Sequence, residues 1–306
     1  MRHHILFALP LIALAAPVLA QEPDAAPVVA AERAFAADAP SMGIAGSFNK
    51  WSVPEAIVIG GGQPQRIGEA YPDRPKPADE PLLEWWPNFA GISRSGDFGF
   101  TTGGVAVNGQ RTGHYFTVWR KQADGSWKWI YDGGSGASAA DVPGPDTQPA
   151  ILPPGPALLR VVREGVPDNG PSASEGAMTA VREQEAALAR DAASDQKAAH
   201  LRFLADNGRL YVAPQPPAIG REAFPGALDG WPATFTFGPA EGGAASDYGD
   251  LVWTYGPAAW SREGQARTGH YVRMWQRQET GWKIVLAQLI PAPPPPPAPP
   301  TPPAGG

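Results

Sequence analysis

The chain has 306 residues, of which 43% are hydrophobic, so it is long enough and apolar enough to bury the cores of about two domains. Its net charge is −6 and no cluster of basic residues is present, which argues against a nucleic-acid partner. There are no cysteines, which excludes disulfides, thiol catalysis and cysteine-held metal sites.

The first twenty residues have the pattern of a secretory signal peptide. Arg2 supplies a positive start, Ile5–Val18 is apolar, and small residues end at Ala20. This pattern predicts cleavage before Gln21 and a periplasmic or secreted protein. The alternative is an uncleaved membrane anchor, but the apolar run is shorter than the roughly 20 residues that a span needs. No membrane span is expected in the mature chain.

Residues 28–132 are predicted to form a first domain. Apolar residues at helical spacing indicate two short helices, Ala30–Ala39 and Met42–Trp51. A strand is predicted at Ser52–Ile59, followed by a loop rich in glycine and proline. Short strands and a final hairpin, which turns at Asp124, complete the unit.

A second unit follows a change in composition. Residues 133–176 are rich in glycine and proline and are predicted to be a linker. Residues 177–290 are predicted to be a second domain, with helices at Met178–Ala193 and Gln196–Leu204 before its strands. Residues 291–306 are almost entirely proline and alanine and are predicted to be a disordered tail.

The second domain repeats the first. Residues Arg111–Lys128 read RTGHYFTVWRKQADGSWK, and Arg267–Lys283 read RTGHYVRMWQRQETGWK. The first helices match at an offset of 153 residues, which aligns Glu32 with Glu185. A steady offset of this size indicates a duplicated domain and not a short repeat.

Several motifs of the first half identify a resemblance to a known family. They are Glu-x-x-Phe on the first helix, Leu-x-Trp-x-Pro at Leu83–Pro87, Ser-Gly-Asp at Ser95–Asp97 and Gly-His-Tyr-x-x-Val-Trp-Arg-Lys at Gly113–Lys121. The half resembles the domain-of-unknown-function family 4440, in the superfamily of nuclear transport factor 2, SnoaL-like polyketide cyclases and ketosteroid isomerase. The second half resembles it more weakly.

The resemblance implies an α+β fold of two cone-shaped domains. Each would be a strongly curved antiparallel sheet wrapped around its N-terminal helices, with a pocket inside, and we name these units the first cone and the second cone. Members of the superfamily often dimerise through the open sheet face, so the resemblance also implies either an intrachain pseudo-dimer or a homodimer. Such a fold does not specify a function, because it hosts enzymes, binders and scaffolds.

Strand alternation divides the hairpin side chains between two faces. Matching the hairpin to ketosteroid-isomerase-like proteins implies that Tyr115, Thr117 and Trp119 line the pocket of the first cone. The other expected lining residues are Phe35, Phe48, Trp51, Trp85, Trp129 and Tyr131 in the first cone, and Tyr271, Arg273 and Trp275 in the second. These residues favour a small apolar or aromatic ligand, and a filled core without a cavity is the alternative in each cone.

An isomerase-type active site is not expected. It needs a carboxylate base, an acidic group on the hairpin and a hydroxyl on the first helix. The matching positions in the first cone hold Gly60, Thr117 and Phe35, and those in the second cone lack the groups as well. No catalytic residue is therefore assigned. A SnoaL-like enzyme with unassigned catalytic residues and a structural or interaction module remain as alternatives to a binding protein.

Histidines are expected to have structural roles. His114 and His270 start strands and are expected to bond neighbouring loops. His200 has no counterpart in the first half, so a metal site is not expected, and no cofactor is either.

Acidic residues are also expected to be structural. Asp97 and Asp250 follow glycine at a turn, where a carboxylate usually accepts backbone N–H bonds. Glu32 and Glu185 are expected to be solvated helix residues paired with a hairpin cation.

Overall fold

The computed structural model describes residues 23–137, 142–157 and 171–293. The predicted signal peptide and most of the proline-rich tail lie outside these ranges. The described residues form an α+β structure with two curved sheets and few helices.

The first half begins with a helix that combines the two predicted ones. It is kinked at Gly43, whose φ is 79°, three residues after Pro40. A Cβ at Gly43 would lie 2.9 Å from side-chain atoms of Lys76 and Glu80, so this position requires glycine. The elements of this half are α1 (Ala26–Trp51), β1 (Ser52–Ile59), β2 (Gln65–Arg66), α2 (Ile67–Ala70), β3 (Leu83–Ile92), β4 (Phe98–Val107), β5 (Gln110–Lys121), β6 (Trp127–Gly136) and β7 (Ala150–Leu152).

The first sheet is mixed, so the prediction of a purely antiparallel sheet is wrong. Its strand order is β2-β1-β6-β5-β4-β3-β7. Strands β3 to β6 form an antiparallel meander, but β1 pairs with β6 in parallel and β7 pairs with β3 in parallel. Strand β7 lies in the segment that was predicted to be a linker, and β6 runs to Gly136, inside the same segment.

The second half repeats this plan. Its sheet order is β10-β12-β13-β14-β8-β9, with β11 paired to β12 and β8 parallel to β14. None of the helices in the described ranges is long and apolar enough to cross a bilayer. The elements are α3 (Pro171–Ala192), α4 (Gln196–Phe203), β8 (Leu204–Tyr211), β9 (Ala218–Ile219), α5 (Phe224–Leu228), β10 (Thr236–Phe237), β11 (Gly242–Ala245), β12 (Leu251–Arg262), β13 (Gln265–Gln278) and β14 (Gly281–Pro291).

Each sheet packs its concave face on its own leading helix. In the first half, Phe35 and Phe48 of α1 share one buried cluster with Trp85, Trp119 and Trp129 of the sheet. The ring centroids of Phe35 and Trp85 are 4.7 Å apart. Aromatic side chains bury much area, so this cluster is a main source of stability in the half.

The two sheets pack against each other through their opposite faces. Phe116 and Val118 of the first sheet share a buried cluster with Trp253 and Met274 of the second. Tyr131 also belongs to this cluster, and its ring centroid is 4.9 Å from that of Trp253. The prediction that Tyr131 faces the pocket is therefore wrong.

A β-bulge explains the position of Tyr131. Trp119 pairs with Trp129, but the preceding Val118 pairs with Tyr131, so the intervening Ile130 has no partner on β5. An extra residue of this kind reverses the faces of all residues that follow it. The second hairpin has its register shift at the equivalent place, between Met274 and Trp275.

The turns before the central strands also connect the halves. The backbone N–H of Arg94 donates to Asp250 Oδ2 at 3.0 Å, and that of Asp247 donates to Asp97 Oδ2 at 3.2 Å. The prediction that these aspartates accept backbone bonds is confirmed. The donors, however, belong to the opposite half, which the sequence does not indicate.

The two hairpin histidines differ. His270 Nδ1 lies 2.7 Å from the carbonyl oxygen of Gly62, which confirms the predicted bond to a loop. The ring nitrogens of His114 have no hydrogen-bond partner within the described ranges, so the same prediction is wrong there. Burial, and then the charge of Arg209, lower the pKa of His114 to about 4, which keeps it neutral near pH 7.

Candidate functional site

A cavity of about 330 Å³ lies in the first cone. Helix α1 contributes Phe48 to its wall, and the sheet contributes Trp85, Tyr115 and Asp132. Tyr71, next to α2, also lines the cavity, and its ring centroid is 4.7 Å from that of Phe48. The cavity is therefore lined by aromatic, aliphatic and glycine residues, and it contains one carboxyl group.

Asp132 reaches the cavity because of the bulge in β6. Beyond Ile130 the alternation is reversed, so Asp132 faces inward beside Thr117, which donates its hydroxyl to Asp132 Oδ2 at 2.8 Å. Strict alternation placed Trp129 and Tyr131 inward and therefore missed this carboxyl. We find no local signal in the sequence that marks the bulge.

The environment of Asp132 favours its protonated form. Burial, and then the charge of Glu32, raise its pKa well above the ordinary value, and the bond from Thr117 opposes this only in part. Asp132 keeps some accessible surface because it lines the cavity. A carboxyl group in this state can donate a hydrogen bond to a ligand or exchange a proton with it.

Glu32 lies beneath the cavity and is fully buried, so the prediction of a solvated helix residue is wrong. Its carboxylate accepts bonds from Trp85 Nε1 at 2.6 Å, from Trp119 Nε1 at 3.0 Å and from the hydroxyl of Thr101. Burial raises its pKa, and these bonds lower it in part. One signal was available: Glu32 and Phe35 are three residues apart and share the apolar helix face.

Tyr115 lies between the two acidic groups. It is 5% exposed, and its hydroxyl has no hydrogen-bond partner within the described ranges. Burial, and then the charge of Glu32, raise its pKa well above the ordinary value. Burial, and then Asp132, also raise the pKa of Tyr71. Both tyrosines therefore remain neutral hydroxyl groups beside Asp132.

Apart from Tyr131, the predicted lining residues of the first cone occupy three different positions. Phe48, Trp85 and Tyr115 line the cavity directly. Thr117 acts through Asp132, to which it is bonded. The remaining inward-facing residues form the packed core behind this wall: Phe35, Trp51, Trp119 and Trp129.

The second cone holds an ion pair in the equivalent region. Arg273, 1% exposed, donates to Glu185, which is 4% exposed. The guanidinium carbon lies 4.0 Å from the ring centroid of Tyr271 and 4.5 Å from that of Phe237. Trp275 Nε1 donates to the same carboxylate at 2.7 Å. Glu185 thus has the predicted hairpin cation, but the pair is buried instead of solvated.

Strand register matches the two cones residue by residue. Thr117 pairs with Thr101 and Asp132, and Arg273 pairs with Thr254 and Ala287. Thr254 donates to Glu185 as Thr101 does to Glu32. The second cone therefore carries arginine and alanine where the first carries threonine and aspartate.

The cavity lacks a base at the position expected for an isomerase. Gly60, at the expected base position after β1, lines the cavity but has no side chain. The carboxyl comes from the adjacent strand instead, since Asp132 pairs with Val58. No group of three or more acidic or histidine residues in the described ranges is arranged to hold a metal ion.

No protein-family profile and no curated protein match the chain. One similar solved structure is a protein from Novosphingobium aromaticivorans that is provisionally named an aromatic ring hydroxylase. It is 17% identical to this chain, the match covers 39% of this chain and 92% of that one, and the TM-score is 0.33. An NTF2-like protein with a cystatin-like fold from the same organism is 18% identical over 38% and 81%, with a TM-score of 0.29. An NTF2-like protein of unknown function from Pseudomonas putida is 13% identical over 40% and 87%, with a TM-score of 0.30.

Proposed function

We propose that the protein binds a small, mostly apolar or aromatic ligand in the first cone. The observation that carries the proposal is the 330 Å³ cavity, walled by Phe48, Trp85 and Tyr115 and containing the Asp132 carboxyl. Its size is at the lower end of the range for ligand pockets, and an apolar wall with few polar groups is typical of such sites. The cavity also argues against a purely structural role with filled cones.

The ligand proposal can be tested with the neutral fluorophore prodan. Energy transfer from tryptophan to prodan is expected to saturate with one site per chain. Trp85→Phe should weaken prodan binding, because Trp85 forms part of the wall, while Trp231→Phe in the second half should not. Circular dichroism of each variant checks folding. Absence of saturable binding to the wild-type chain would contradict the proposal.

A second candidate is a SnoaL-like enzyme that acts on a small organic substrate. One observation favours it: Asp132 is a carboxyl with a raised pKa in an aromatic cavity, which is the environment of many general acids and bases. Turnover that is lost in Asp132→Asn with unchanged ligand binding would support the enzyme. Without such turnover, the binding protein remains the better proposal.

The same proposal includes export and an intrachain pseudo-dimer of two NTF2-like cones. The pattern of residues 1–20 supports export, and the sheet-to-sheet packing of the two halves supports the pseudo-dimer. Sequencing of the secreted form should find Gln21 at its N-terminus. Light scattering after size exclusion should give the mass of one chain, and a stable homodimer would contradict the pseudo-dimer.

A further inference from the structure

The buried glutamates of the two cones have similar sets of hydrogen-bond donors that differ in one member. Glu32 and Glu185 each accept a tryptophan N–H and a threonine hydroxyl. Each glutamate also accepts from a third donor. This donor is Arg273 in the second cone and the neutral indole of Trp85 in the first. The hydrogen bonds of Glu32 are thus made without a positive charge.

The aromatic groups around this position are also repeated. Tyr271 and Phe237 lie against the Arg273 guanidinium, and strand register matches them to Tyr115 and Trp85. Aromatic faces of this kind attract cations, more strongly when water is excluded. In the first cone both residues line the cavity, and the shorter Thr117 stands where the second cone has Arg273.

The first cone has one more carboxyl group than the second and lacks the arginine that the second cone carries. Asp132 stands where the second cone has Ala287. The charges that act on Asp132 and Glu32 include no lysine or arginine within the described ranges. Tyr115 lies close to both carboxyl groups, because the charges of Glu32 and Asp132 both act on its hydroxyl.

We infer that the ligand of the first cone is an organic cation, an ammonium or amidinium group on a flat apolar body, which takes the place that the Arg273 side chain occupies in the second cone. This inference rests on the proposed function and names the class of ligand. The positive group lies beside Asp132, against Tyr115 and Trp85, and the apolar body contacts the remaining aromatic wall. In the second cone, the equivalent site is occupied by the Arg273 side chain of the protein itself.

Cation binding is coupled to the proton on Asp132. The titratable groups whose charges interact with Asp132 are Glu32 on α1, Tyr71 beside α2, Tyr115 on β5 and Tyr131 on β6. Because the pKa of Asp132 is raised, a bound cation displaces its proton. Affinity for a cation should therefore increase with pH over the acid-to-neutral range, while affinity for a neutral ligand of the same shape should not.

The experiment compares benzylamine with benzyl alcohol, which have similar shape but differ in charge, by calorimetric titration of the full mature chain. Benzylamine is expected to bind at least about tenfold more tightly, and to release protons to the buffer. Asp132→Asn should remove this preference and the proton release. Asp206→Asn, an exposed carboxyl in the second half, is the matched control and should change neither.

Thr117→Arg provides a second variant, because it copies the resident cation of the second cone. It should abolish benzylamine binding while the far-ultraviolet dichroism is unchanged. Equal affinity for the amine and the alcohol, or a preference that survives Asp132→Asn, would overturn the cation inference and leave the proposed function intact. If neither compound binds and prodan does not bind either, both are overturned.

Discussion

The two cones share one architecture but differ in the groups that bind the buried glutamate. In the second, Arg273 neutralises Glu185 and packs on Tyr271, so that the centre of the cone is a closed ion pair. In the first, Thr117 replaces the arginine, and Glu32 has neutral donors and a raised pKa. The comparison teaches that the long Arg273 side chain fills the centre of the second cone, where the first cone has the shorter Thr117 and, beside it, the Asp132 carboxyl.

The largest expected effect is that of Arg273→Met, which breaks the buried pair at nearly constant length. It should reduce the free energy of unfolding by about 3–5 kcal/mol, since it leaves Glu185 buried without a cation. Urea denaturation measures the effect. Arg221→Met is the matched control: its pair with Asp206 is about three-quarters exposed, and it should cost less than about 1 kcal/mol. Equal losses in the two variants would refute the distinction between a buried and an exposed pair.

An intermediate effect is expected for Asp132→Asn, which tests how the carboxyl of the first cone changes the pH dependence of stability. A carboxyl whose pKa is raised on folding contributes stability that is complete below its unfolded pKa and is lost as pH rises toward the folded value. Wild-type stability should therefore decline from about pH 4 upward, and the asparagine variant should decline less. Urea denaturation at a series of pH values measures both slopes. Parallel slopes would show that Asp132 is not desolvated.

The smallest expected effect is that of Thr117→Val, which keeps the shape of the side chain but removes its hydroxyl. The lost bond to Asp132 should reduce the free energy of unfolding by about 1 kcal/mol. The pKa of Asp132, followed by nuclear magnetic resonance, should rise further, because the bond from Thr117 lowers it. An unchanged or lower pKa would contradict the assigned geometry.

The sequence by itself indicated a repeated unit of leading helices followed by strands, and it marked Phe48, Trp85 and Tyr115 as lining residues. These features follow from local patterns: helical periodicity marks α1, alternation marks β5, and the shared hairpin motif Arg-Thr-Gly-His-Tyr aligns Thr117 with Arg273. The inward positions of Tyr115 and Trp119 were also predictable, because the extra residue of the bulge lies in β6 and the alternation of β5 is not interrupted there.

Only the tertiary structure decided which groups meet in the cavity. The bulge at Ile130 moves Tyr131 into the contact between the sheets and turns Asp132 inward. A bulge depends on how β5, β6 and the second sheet pack together, so it has no signature within the strand itself. The burial of Glu32 also depends on residues that are distant in the sequence. Trp85 and Trp119 donate hydrogen bonds to its carboxylate, and these bonds offset part of the cost of burying it.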